Sequence, residues 1–249
     1  MACLVPVVVF ILLPWSLQQK LFAVPYGIDP QRPSHTYVLG GQQMPLEARK
    51  TGMFGGFLLV YLALLAAGRT RAAAFPPRRI LAVLLGFVAV MAIDGLNATF
   101  FDLGWPHLYA PDLRLRLATG LLMGLTMAAL LLPAINGSLW RDISDVPSLS
   151  GIKDVAALLF LCGAFFLLVD ARPAILYYAI SILAVAGLIC ELAVINLVFL
   201  LIVARRVGTA GTATDVLLLM APALGLAACE LALMSIVRYA TIGSLTSTM

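Results

Sequence analysis

Short polar segments divide this chain into apolar blocks, each near the roughly 20 residues a helix needs to cross about 30 Å of hydrocarbon. After a first block, Ala2 to Val24, they run from about Gly52 to Gly68, Ile80 to Phe101, Leu117 to Ile135, Val155 to Val169, Ala174 to Ala204 and Val216 to Tyr239. A backbone facing lipid must satisfy its own hydrogen bonds, and the strict alternation of a membrane strand is absent, so the blocks are helices. The expected fold is all-α: a polytopic transmembrane helical bundle of about seven spans, forming a single transmembrane domain over residues 1–249. Composition agrees, with 62% hydrophobic and 11% charged residues, where soluble domains carry about 25% charge.

Two places leave the span count open. The first block has no basic segment before its apolar core and no clear small-residue cleavage site after it, so it reads as a retained helix bent by Pro6 and Pro14 rather than a signal peptide. The fifth block is short and the sixth long. Asp170-Ala171-Arg172-Pro173 between them is either a tight turn or a kink within a larger hairpin, and six or eight spans fit the same pattern.

The net charge of +4 comes from Arg and Lys at block ends, where lipid phosphates lie, and is not a nucleic-acid footprint. Basic residues divide evenly between the two ends of the spans. The densest cluster, Arg69, Arg71, Arg78 and Arg79, places its loop in the cytoplasm by the positive-inside rule, together with the amino terminus. Pro25 to Thr51 and the Trp105 to Pro111 loop then face outward. Cys3, Cys162, Cys190 and Cys229 lie in apolar blocks and read as small core residues rather than disulfides or a metal site.

Most of the non-apolar information sits in two loops. One runs from Asp29-Pro-Gln-Arg-Pro-Ser-His-Thr-Tyr through Gly40-Gly41-Gln42-Gln43-Met44-Pro45-Leu46 to Gly52. The other begins at Asp94-Gly95-Leu96-Asn97 and includes Asp102 and Trp105 to Tyr109, whose Trp105, His107 and Tyr109 suit a membrane interface.

In order and spacing, Gly41-Gln42-Gln43-Met44-Pro45-Leu46, Ala48-Arg49, Thr51-Gly52, Asp94-Gly95-Leu96 and Arg116-Leu117-Ala118-Thr119-Gly120 resemble a prokaryotic family of uncharacterised polytopic membrane proteins, a domain of unknown function. The resemblance covers about 29–124, a family-like core, and leaves the C-terminal helices of 155–240 outside. It implies fold and topology but no activity. The family pattern carries cysteines where this chain has Asp29, Glu47 and Lys50, so the resemblance also implies that any thiol-based metal or redox chemistry cannot operate here.

Among single residues, Glu191 and Glu230 stand out as intramembrane carboxylates, because charge deep in a span is costly and usually faces a bundle interior or a water-filled cavity. Each occurs in a Cys-Glu-Leu-Ala string. Glu191 lies 14 positions before Arg205 and Glu230 lies 15 after Asp215, which is about 21 and 22 Å along a helix. On antiparallel neighbours they would reach similar depth, where they could share or carry a proton or bind a cation. The alternative is a protonated Glu that holds helices together by hydrogen bonding. Arg238 could neutralise a partner's carboxylate or snorkel to the interface.

Asp94, Asn97 and Asp102, with Arg49, form a polar loop cluster that could bind an ion or polar ligand, or could serve turn and loop-locking chemistry alone. Arg49 with Lys50 could also meet a lipid phosphate. His107 is a candidate interfacial ligand for a pigment or metal.

Counting excludes several activities. Only His35 and His107 are present, both outside the blocks, so no bis-His haem can sit between two spans. Lysine occurs only at 20, 50 and 153, which rules out a retinal Schiff base in the last helix. Walker, His-Glu-x-x-His and Cys-x-x-Cys motifs are absent, so no enzyme, no metal and no cofactor is expected, although such a bundle could hold a lipid or pigment.

Small residues line several spans, among them Gly52, Gly55, Gly56, Gly120, Gly124, Ala184, Gly187 and Ala223, and would let helices approach within the chain or against a partner. The expected function is a non-catalytic accessory or assembly subunit of a larger complex, such as a respiratory or photosynthetic one, in the cytoplasmic (inner) membrane of a prokaryote. Its partners would be membrane lipids and other membrane-protein subunits. The alternative is a proton- or ion-coupled transporter using Glu191 and Glu230.

Overall fold

The computed structural model describes residues 5–242. Within them the chain is an all-α bundle with six helices long and apolar enough to cross a membrane. The first block does not form one helix. It breaks into α1 (Val5–Leu12) and α2 (Leu17–Ala23), of eight and seven residues. Pro14 lies in the break, and Ser16 caps α2 reciprocally with Gln19. That Ser-x-x-Gln capping box satisfies free amides at a new helix start and so redirects the chain. Neither piece is long enough to span alone, so six candidate spans stand among the described residues, in line with a bundle of about seven. Cys3 lies outside the described residues.

The six long helices are α3 (Ala48–Ala66), α4 (Arg78–Asp102), α5 (Leu113–Leu139), α6 (Ile152–Asp170), α7 (Tyr177–Val203) and α8 (Ala213–Ile242). Asp170–Pro173 is the tight turn: α6 ends at Asp170, and one 3-10 turn, Ala174–Leu176, leads into α7.

α3, α5 and α7 form the centre, and glycine decides how. Gly52 and Gly56 on α3 meet Gly120 and Gly124 on α5, two four-residue small-residue repeats running in parallel. A Cβ added at Gly124 would lie 2.6 Å from Phe57 N and abut Met53 O. One at Gly52 would lie 2.9 Å from Leu121 N, and one at Gly120 would press into Arg49 O. The backbones touch there, as such repeats permit in lipid. On the other side of α3, Gly187 of α7 lies against Phe54 O. Helices α4 and α8 are peripheral, with 22% of each span buried against 61% for α5.

The loops gather at two ends. At one, strand β3 (Ala72–Ala74) pairs in parallel with β4 (Ser144–Pro147), Asn136 Nδ2 donates to Arg69 O and Ala72 O, and Arg141 N donates to Ala210 O. That end holds the Arg69–Arg79 segment. At the other end residues 25–47 form a cap. It contains the short hairpin β1 (Val38–Leu39) and β2 (Gln42–Gln43), paired Leu39 to Gln42.

Candidate functional site

The cap's position follows from the bonds it makes with three other parts of the bundle. Tyr177 OH donates to Gln43 O at 3.0 Å, and Tyr37 OH donates to Asp170 Oδ1, which also accepts from Arg114 Nε at 2.9 Å. Arg238, near the end of α8, donates to the carbonyls of Tyr26, Asp29 and Pro30 and lies over the Tyr26 ring. Through these bonds it ties the cap to the last helix.

Beneath this cover lies a network of four carboxylates (Asp29, Glu47, Asp94, Asp102) and four basic groups (Arg32, Arg49, Lys50, Arg116). The Asp29 carboxylate is buried, accepts from Gln31 N at 2.8 Å and Glu47 N at 3.0 Å, and lies 3.7 Å from Lys50 Nζ. Asp29, Glu47 and Lys50 are the three positions where the resemblance places cysteines, and here Asp29 meets both others, Lys50 through charge and Glu47 through its backbone amide. Burial pushes the Asp29 carboxyl above its usual range, against the pull of Lys50 and the two amides.

Glu47, immediately before α3, accepts from Arg32 Nε at 3.0 Å, and Arg32 Nη1 donates to Asp102 Oδ2 at 2.9 Å. Burial works to raise the Glu47 carboxyl, but the Arg32 guanidinium outweighs it and holds it below its ordinary value. His35, 8% exposed, sits between the two acids, 3.7 Å from Glu47 Oε1 and 3.6 Å from Asp102 Oδ1. Arg116 Nη2 lies 3.4 Å from its Nε2, and its Nδ1 has no hydrogen-bond partner among the described residues. Burial, and then Arg116 and Arg32, depress its basicity.

Asp94 is the second hub. It is 2% exposed and accepts from Arg49 Nη2 at 2.5 Å, Tyr109 OH at 3.0 Å and Thr119 Oγ1 at 3.1 Å, joining α3, α4, α5 and the loop before α5. Asn97, one turn on, accepts from Leu108 N at 2.7 Å and donates to Tyr109 O at 2.9 Å. Asn97 therefore locks the loop. Asp94-Gly95 is not a turn at all, since α4 runs unbroken through it to Asp102.

The structure thus brings Asp94, Asp102 and Arg49 into one network, with Asn97 beside it. His107 stays apart, exposed, its Nδ1 3.0 Å from Trp105 O and its ring edge-on to Phe101. Arg116, His35, Tyr109 and Thr119 complete the network; the sequence placed Arg116 and Thr119 in a family-like motif and His35 and Tyr109 in the polar loops, but marked none of them as a site residue.

Within the spans, Glu191 is buried and its Oε2 has no hydrogen-bond partner among the described residues. Glu230 accepts from Asn196 Nδ2 at 2.8 Å. An apolar cleft of about 270 Å³ lies between α7 and α8, lined by residues that include Cys190, Ala193, Met220 and Leu224.

No curated protein and no solved structure matches the chain. Residues 30–130, a stretch taking in most of the cap, α3, α4 and the first two-thirds of α5, match the model of a family described as Predicted membrane protein, a domain of unknown function (DUF2085). Over that stretch the chain is similar to this membrane-protein family, and with its several apolar helices it is a multi-pass membrane protein.

Proposed function

We propose that the protein is a non-catalytic accessory or assembly subunit of a larger complex in the cytoplasmic (inner) membrane of a prokaryote. The observation that carries this reading is the use the chain makes of its charges. Four acids and four basic groups meet under the cap with His35 among them, and each acid is engaged by a base: Arg32 with Glu47 and Asp102, Arg49 with Asp94, Lys50 with Asp29. Such a network fixes a shape, because a buried ion pair holds its geometry at the cost of desolvation. It binds the cap to the helix ends and leaves α4 and α8 outermost, as the faces on which other subunits would pack.

Gentle extraction from the native membrane, followed by native mass spectrometry, tests the proposal. A stoichiometric partner is expected beside the 26.5 kDa chain, and migration as a lone monomer would count against it. A proton- or ion-coupled carrier is the second reading, favoured by the unpartnered Glu191 oxygen. Reconstituted flux that falls in Glu191→Gln or Glu230→Gln would support it, and unchanged flux would sink it.

A further inference from the structure

Glu191 is the residue whose chemistry neither the cap nor the bundle packing explains. It stands at the middle of α7, 14 residues after Tyr177 and 12 before Val203, at 4% exposure. One turn before it, Gly187 abuts Phe54 O, and residues four apart share a helix face, so this face of α7 is turned into α3. None of the ion pairs among the described residues includes Glu191.

The polar and titratable groups about it supply no cation. Cys190 adjoins it on α7, Tyr61 approaches Cys190 from α3, and on α8 Glu230 is held by Asn196. An ionised carboxylate left unpaired in the hydrocarbon interior costs several kcal/mol or more, whereas the neutral acid gives up most of that penalty. Glu230 Oε2 accepts from Asn196 Nδ2, and among the described residues no hydrogen bond joins Glu230 to the orphan Glu191 oxygen.

We infer that Glu191 is a neutral carboxylic acid and a one-proton binding site at the centre of the bundle, acting singly and not as half of a dyad with Glu230. The orphan oxygen is where a water or a hydronium proton is received and released. The site would exist whether the chain works as a subunit or as a carrier, so its failure and theirs can be told apart.

Infrared difference spectroscopy on the full chain in nanodiscs tests the inference. The wild type should show a protonated-carboxyl C=O band at neutral pH that shifts in D2O. That intensity should be lost in Glu191→Gln, moved but kept in Glu191→Asp, and unchanged in Glu230→Gln. A spectrum in which Glu191→Gln loses no such intensity would overturn it. So would equal loss in Glu230→Gln, or a band that does not shift in D2O.

Discussion

At the residue scale, Asp94 is a hub of the architecture. It ties Arg49, Tyr109 and Thr119 together from a buried position. Removing one member of a buried, hydrogen-bonded ion pair costs about 3–5 kcal/mol, because the other charge is stranded. Asp94→Ala should therefore lower the unfolding free energy by that order, and Tyr109→Phe by about 1 kcal/mol, the worth of one hydrogen bond. Both can be read from equilibrium unfolding in mixed micelles.

His35 sets a pH dependence. Its folded-state value is depressed below 6.5, so the unfolded chain takes up a proton first as pH falls, and stability present above 6.5 is lost below it. Glu47, also depressed, adds a loss of the same sign below its ordinary 4.5, while Asp29, raised from 3.8, works the opposite way in the acid range. The unfolding midpoint should drop as pH falls through the region below 6.5, and His35→Gln should flatten that slope. A slope unchanged in the variant would assign it elsewhere.

The sequence marked Arg49, Asp94, Asn97 and Asp102 because polar side chains beside apolar blocks stand out. It could not mark Arg116 or His35 as partners, since 81 positions separate them and only the packing of α5 under the cap brings them together.

At the element scale, glycine sets the helix spacing. At Gly124 a methyl would meet α3 backbone that cannot move aside, whereas at Gly86, on the outer face of α4, it would meet nothing within 4 Å. Gly124→Ala should destabilise by about 1–3 kcal/mol, as overpacking does. Gly86→Ala should be neutral or stabilising by up to about 1 kcal/mol through helix propensity. Thermal unfolding of the two variants side by side checks the contrast, and equal effects would remove the close α3–α5 contact from the account.

Helix existence and approximate limits were legible from the block pattern, because hydrocarbon thickness imposes a length. What the pattern hid was the break in the first block. Its signal was present locally in Pro14 and the Ser16–Gln19 capping box, but apolar residues on both sides masked it. Nor could the abundance of small residues say which pairs would touch. In the structure Gly52, Gly56, Gly120, Gly124 and Gly187 are spent inside the chain.

At the scale of the whole molecule, two different ends emerge: a charged cap on one, and on the other the loops around Arg69 to Arg79, joined by β3 and β4. The basic cluster predicts that the second end faces the cytoplasm. Of cysteines introduced at Ser34 and at Ala73 in a background lacking the native thiols, the one at position 34 should react with an impermeant maleimide on intact cells and the one at position 73 only after the cells are opened. The reverse labelling would invert the orientation.

The outer faces of α4 and α8 bear on the central claim, that the chain works by holding other subunits. Leu85 and Leu218 are 66% and 70% exposed there. Photo-crosslinking residues placed at these two positions, activated in the native membrane, test it most directly. A discrete protein adduct of one mass is expected from at least one of the two faces. Lipid adducts alone, from both, would contradict it.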